Sequence, residues 1–213
     1  MTPGKQTSRS GGLFVISAPS GAGKTSLVKA LLERNPRLTV SVSHTTRPRR
    51  PNETDGREYW FVTPQQFEER RARGEFLEQA RVFDNFYGTG RAGVEQELAA
   101  GRDVILEIDW QGARQVRQSA PGCTTIFILP PSRAALEERL QKRQTDSDAV
   151  IARRLQEAVG DMSHYREFGY VVVNDDFETA CGQLESILAG NGQALASERT
   201  QLDALLTELL GAP

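Results

Sequence analysis

The sequence predicts an α/β fold with a mainly parallel sheet, because short apolar runs alternate with amphipathic helical stretches along most of the chain. Three observations carry this. Leu13–Ser17, "LFVIS", is a β-branched apolar run followed by a glycine-rich turn and then by Leu27, Val28, Leu31 and Leu32 at helical spacing. "DVILEIDWQG" and "CTTIFILPPS" are continuous apolar runs of the kind needed by strands covered on both faces. "YVVVND" closes the series as a final strand. A length of 213 residues suits one domain, or one core carrying insertions.

The elements follow in order. The first helix should end near Asn35 and Pro36, since the residue before a proline is pushed out of helical geometry. "LTVSVSHTT" reads as a second strand, "TTRPRRPNETDGREY" as a polar, basic loop and "YWFV" as strand-like. Thr63, Pro64 and Gln66 form a capping-box start for a helix through Arg73, which Gly74 stops. "EFLEQARVFDNFYGTG" reads as short strands and turns, and "RAGVEQELAAG" as a helix closed by Gly101. Ser132 caps a helix through about Arg143, and a second helix covers about Ala149 to His164. The last helices carry Leu184, Ile187 and Leu188, then Leu202, Leu205, Leu206, Leu209 and Leu210.

Residues 43–91 break the alternation and read as an insertion, and the arginine-rich helical pair 132–164 as a second excursion. The core is then 11–42, 92–131 and 165–213, and 1–10 a polar, mobile tail. The net charge of -2 implies no general attraction to nucleic acid or an anionic membrane. No apolar run has the length of a membrane span, and "MTPGKQTSRSGG" has no apolar segment of a secretory signal, so the expected location is the cytoplasm. Cys123 and Cys181 give no metal-ligand spacing and read as buried thiols in a reducing compartment. Trp60, Trp110 and His164 read as packing residues.

"ISAPSGAGKTSL" lies between the first strand and the first helix and has the make-up of a phosphate-binding loop. Such a loop wraps a polyphosphate in backbone N–H groups with a helix N-terminus behind it. Gly21 and Gly23 let the backbone approach, Lys24 supplies a point charge and the Thr25 hydroxyl can ligate Mg²⁺. Ala18, Pro19, Ser20 and Ala22 complete the candidate nucleotide loop, with Ala18 standing where the usual pattern has glycine. This points to the three-layer fold of the P-loop NTPases, with ATP as phosphate donor and Mg²⁺ as its companion ion.

Three more stretches narrow the acceptor. "VSHTTRPRRPNETDGREYWF", "EFLEQARVFDNFYGTG" and "ILEIDWQG" together with the loop resemble the guanylate kinase family from about Gly12 to about Leu188. The resemblance implies ATP-dependent phosphorylation of GMP, and of dGMP, by direct in-line transfer, with small-molecule substrates rather than nucleic acid or membrane as partners. It places the base on Ser43, Glu78, Thr89 and Asp109, with Glu107 nearby, and the monophosphate on Arg47, Arg50, Tyr59 and Tyr87. Base chemistry agrees: guanine offers N1–H and N2–H₂ donors and an O6 acceptor, so its pocket wants a carboxylate and hydroxyl donors. The family pattern T-T-R-x-P-R-x-G-E reads "TTRPRRPNE" here, with the proline shifted to Pro48 and Asn52 in place of glycine. Thr89 and Glu107 stand where serine and aspartate are usual.

The stretch Arg133 to Arg154 holds six basic and four acidic residues. The resemblance implies a mobile lid whose Arg139, Arg143 and Arg154 join Lys24 and Arg47 in closing charge around the transferred phosphoryl group. It also puts Asn174 on the adenine side of the ATP site. The intact Lys24 and Thr25 argue against a protein-binding relative with a degraded loop, and Glu78 with Ser43 and Thr89 against another small acceptor. The C-terminal leucines form an amphipathic stripe, read either as packing on the chain's own core or as a face for homo-oligomer assembly.

Overall fold

A computed structural model describes residues 10–82, 84–141 and 148–211. The chain runs β1 (Leu13–Ser17), α1 (Lys24–Arg34), β2 (Leu38–Val40), β3 (His44–Thr45), β4 (Trp60–Phe61), α2 (Pro64–Ala72), β5 (Phe76–Val82) and β6 (Asn85–Gly90). It continues through α3 (Arg91–Ala99), β7 (Asp103–Glu107), α4 (Trp110–Ser119), β8 (Thr124–Leu129), α5 (Arg133–Gln141) and α6 (Asp148–Met162). β9 (Tyr170–Val173), α7 (Phe177–Leu188) and α8 (Asp203–Leu210) complete it.

The main sheet has five strands in the order β2-β7-β1-β8-β9, each pair parallel. Successive side chains leave a strand on opposite faces, so the continuous apolar runs feed two cores. Ile16, Ile105, Ile126, Ile128 and Val172 pack against Leu27, Leu31, Ala180, Cys181 and Leu184 of α1 and α7. Val15, Leu106, Phe127, Leu129 and Val171 face the other way, toward Val94, Ala113, Val116, Leu136 and Met162. The result is the three-layer α/β arrangement that the alternation predicts. All the strands end at one edge of the sheet, which is where ligands bind in such folds.

A second, four-stranded sheet, β4-β3-β6-β5, is built from residues 44–90. Here β3 pairs with β4 in parallel and with β6 antiparallel, and β5 pairs antiparallel with β6. "LTVSVSHTT", expected as one strand, is two. The Ser41 N–H still donates to Ile105 in the main sheet (3.0 Å), but the Ser43 carbonyl already accepts from Trp60 in the second (2.9 Å). The chain changes partner within three residues.

The expected capping box is present at Thr63 and Gln66, and Ser132 caps α5 through the N–H of Ala135. Helix α4 is an addition. The acidic end of "ILEID" reads as strand, but Asp109 turns out of it and accepts from the Gly112 N–H (2.8 Å), starting a helix that buries Ala113 and Val116. Cys181 is buried, whereas Cys123 is only partly so; both are free thiols. No described helix is long and apolar enough to cross a membrane.

The C-terminal stripe is used internally. Leu202, Leu206 and Leu209 are buried in the chain's own core, and Leu205 and Leu210 pack against it. The packing reading of the stripe therefore holds for its buried leucines. Leu209→Ala should cost about 2–5 kcal/mol in urea unfolding, as a filled core position would, and leave the sedimentation coefficient unchanged.

Candidate functional site

The loop leaves the central strand β1 at Ser17. Gly21 (φ 89°) and Gly23 (φ 95°) are both in the left-handed region, and Gly23 is the N-cap of α1 with no side-chain cap. The helix N-terminus therefore keeps backbone N–H groups available to a phosphate. A Cβ at Gly23 would also lie 2.3 Å from Asn174 Nδ2, which donates to the carbonyl of Ala22 (2.8 Å). Asn174 thus braces the loop from the end of β9. Pro19 and Ala22 are buried, Ser20 and Thr25 exposed, and Ala18 packs on the core beside α1.

The loop is the wall between two cavities. One, of about 370 Å³, is lined by Ser20, Lys24, Ser43, Tyr59, Glu78 and Tyr87, with Glu107, Ile108 and Asp109 at the end of β7. The other, of about 310 Å³, is lined by Gly21, Gly23, Ser26, Arg139, Asn174 and Phe177. Lys24 Nζ donates to the carbonyl of Ile108 (3.3 Å), and the Thr25 hydroxyl donates to Glu107 Oε1 (2.5 Å). Main-sheet residues at the loop therefore meet second-sheet residues across the first cavity.

Behind Glu78 in that lining, Thr89 Oγ1 donates to Glu78 Oε1 (2.6 Å) and lies 3.2 Å from Ser43 Oγ. The one proton of Thr89 goes to Glu78, so across the 3.2 Å contact Ser43 donates and Thr89 accepts, and a ligand acceptor would take the Ser43 proton in place of Thr89. Tyr59 and Tyr87 meet edge to face with centroids 5.8 Å apart, and the Arg47 guanidinium lies 5.5 Å from the Tyr59 ring centroid.

The guanylate kinase family model matches residues 10–191. The chain belongs to the guanylate kinase family. A guanylate kinase of Methylococcus capsulatus is 58% identical over 93% of this chain and 98% of its own. One from Escherichia coli K12 is 50% identical over 94% and 98%. The crystal structure of a guanylate kinase from Anaplasma phagocytophilum is 32% identical with a TM-score of 0.71, covering 93% of this chain and 95% of that one.

Not every site residue expected from the family joins the cavities. Arg47 is held by Glu53 (Nη2 to Oε1, 2.7 Å) and by the carbonyl of Pro48 (2.8 Å), beside the cavity rather than in its lining. The Arg50 side chain is exposed, while its backbone N–H donates to Glu53 Oε2 (2.8 Å). Arg139 reaches the phosphate loop: Nη2 donates to the carbonyl of Asn174 (2.9 Å), and Nη1 is buried without a hydrogen-bond partner among the described residues. Arg154 is partly buried on α6 and is not among the lining residues of either cavity. Arg143 lies outside the described residues.

Of the three packing residues, Trp110 stacks on His164 with centroids 3.5 Å apart, but Trp60 is 45% exposed. It lines a separate cavity on the other face of the second sheet.

Glu53, which motif reading passed over, organises the arginine cluster by accepting from Arg47 and from the Arg50 backbone. The signal was a carboxylate just after an arginine cluster, at the glutamate of the family pattern. The Arg47 guanidinium holds its carboxyl below the usual range. Asp161 was also missed. Burial pushes it up to about 6 although Trp110 Nε1 donates to it (3.2 Å).

Burial pulls the Lys24 ammonium down, against the opposing fields of Glu107, Asp109, Asp161 and Glu78. Glu78 is pushed up to about 7, chiefly by burial and further by Asp109, with the Thr89 hydrogen bond opposing. The folded value exceeds the usual 4.5 of a glutamate, so the chain without a ligand loses stability from this group as pH rises from about 4.5 through about 7. A ¹³C-carboxyl titration should place the Glu78 midpoint near 7. Thr89→Val should move it higher, because the donor that favours the carboxylate is gone.

Proposed function

We infer that this chain phosphorylates GMP to GDP with ATP as donor, that dGMP serves as a second acceptor, and that Mg²⁺ accompanies the triphosphate. It is a P-loop transferase of the guanylate kinase family. The observation that carries the acceptor assignment is the 370 Å³ cavity, whose lining brings Glu78 and Ser43 together with Tyr59, Tyr87 and the loop's Lys24. A nucleoside monophosphate with its base on Glu78 would turn its phosphate toward the loop.

Each group has a task that its position supports. Glu78 accepts from guanine N1–H and N2–H₂, with Asp109 beside it, and Ser43 donates to O6. Tyr59, Tyr87, Arg47 and Arg50 take the monophosphate, with Glu53 holding the Arg47 guanidinium and the Arg50 backbone in place. Loop N–H groups, Lys24 and Arg139 surround the donor phosphates, and Asn174 and Phe177 border the purine side. The Thr25 hydroxyl and Glu107 carboxylate are adjacent oxygen donors of the kind that suit Mg²⁺ beside substrate phosphates. Bound there, the ion would neutralise phosphate charge.

Little covalent chemistry is left for side chains. The acceptor phosphate oxygen is already anionic, so alignment and positive charge around the equatorial oxygens suffice. On this reading 43–91 is the GMP-binding insertion, 132–164 the lid, whose closure keeps water from the donor phosphate, and 11–42, 92–131 and 165–213 the nucleotide-binding core.

ADP formation with GMP, AMP, UMP and CMP should favour GMP over AMP in kcat/KM by on the order of a hundred-fold or more; equal rates with GMP and AMP would overturn the guanine assignment. Lys24→Ala should lose on the order of a hundred-fold in kcat. Glu53→Gln should raise KM for GMP about ten-fold with a smaller effect on kcat, since it releases both Arg47 and the Arg50 backbone. An unchanged KM for GMP there would remove Glu53 from the phosphate grip.

A further inference from the structure

Glu78 is only 4% exposed, so its carboxylate can be used only if its surroundings aim it. Thr89 fixes Oε1. The other oxygen lies against the backbone of α4: a Cβ built on Gly112 would be 2.5 Å from Glu78 Oε2, 3.1 Å from its Cδ and 3.2 Å from Ile108 Cδ1. The Gly112 N–H donates to Asp109 Oδ1 (2.8 Å). The two carboxylates assigned to the base therefore meet at one residue.

Nothing else at this position calls for glycine. Gly112 is not among the left-handed glycines, and it sits in the first turn of a helix, where alanine is the better former. One turn on, the Gln115 amide acts as a strand partner. Its Nε2 donates to the Gln79 carbonyl (2.6 Å) and its Oε1 accepts from the Gln79 N–H (3.0 Å). β5 is an edge of the second sheet, and this contact pins it at the residue after Glu78. Gly112 and Gln115 share a helix face.

We propose that Gly112 is a positioning residue for guanine selection: its missing side chain is the space in which Glu78 Oε2 is aimed, and Gln115 holds the strand that delivers it. This rests on the guanine reading of the cavity. A methyl group at 112 meets the Glu78 carboxylate and Ile108 Cδ1 rather than backbone, so its first effect is on where that carboxylate points.

The test is Gly112→Ala, with steady-state kinetics on GMP and AMP and a thermal melt. KM for GMP should rise about ten-fold or more, and the GMP-over-AMP ratio of kcat/KM should fall by a similar factor. KM for ATP and the melting midpoint should hold. Glu78→Asp, which shortens the carboxylate by one methylene, should impair the wild-type chain yet recover part of the lost GMP preference in the Gly112→Ala background. Unchanged GMP kinetics in Gly112→Ala would overturn the proposal. So would a Glu78→Asp penalty equal in both backgrounds, or a GMP loss that follows a fallen melting midpoint without rescue. Failure of the guanine reading itself is seen separately, as a wild-type chain that does not prefer GMP to AMP.

Discussion

The placement of β1 between β7 and β8, all parallel, is the constraint on which the site depends. Parallel strands end on the same edge, so Ser17, Glu107 and Val173 deliver their following residues to one place. The phosphate loop, Asp109 and Asn174 come together for that reason. An antiparallel neighbour would send one of them to the opposite end of the sheet. The two apolar cores that flank these strands therefore also set the distances among the polar groups above them.

The electrostatics at that edge work against the resting protein. Lys24 sits where burial disfavours its charge, and Glu78 and Asp161 where burial disfavours theirs. Lys24 is partly compensated by the fields of the nearby carboxylates and by donating to the Ile108 carbonyl, Glu78 by the Thr89 hydrogen bond and the Lys24 field, and Asp161 by the Trp110 hydrogen bond and the His164 field. Such groups are held ready for charge that a ligand brings, because a ligand that supplies the missing partner recovers what burial costs. Arg47 follows a related logic. Glu53 neutralises it in the absence of an anion, and both side chains are nearly buried, 15% and 13% exposed.

Legibility in the sequence followed the length over which a pattern repeats. Four of the five core strands, β1, β7, β8 and β9, could be located because strands covered on both faces need uninterrupted apolar runs. The phosphate loop could be read because its glycines, lysine and threonine are contiguous. β3 and β4 are two residues each, too short to display a period of two, and the split of "LTVSVSHTT" depended on which sheet each residue pairs with. Helix α4 was hidden because Asp109, its cap, also reads as the acidic end of β7. Glu78, Ser43 and Thr89 came from the family likeness and the hydrogen-bond code of guanine. Glu53 and Gly112 did not, because their roles lie in contacts to other side chains that no local pattern displays.

The two cavities meet at a single loop, and that loop is braced. Lys24 lines one of them and Gly21 and Gly23 the other, so the same turn borders both. In-line transfer requires the attacking and leaving oxygens on opposite sides of one phosphorus, and a loop that borders both cavities is the shape that allows it. A bulkier loop would separate the nucleotides, and an unbraced one would let them approach at any angle. Asn174 does the bracing through Ala22, and Arg139 holds the Asn174 carbonyl from α5. α5 is thereby tied to the loop itself, Arg139 reaching it through Asn174.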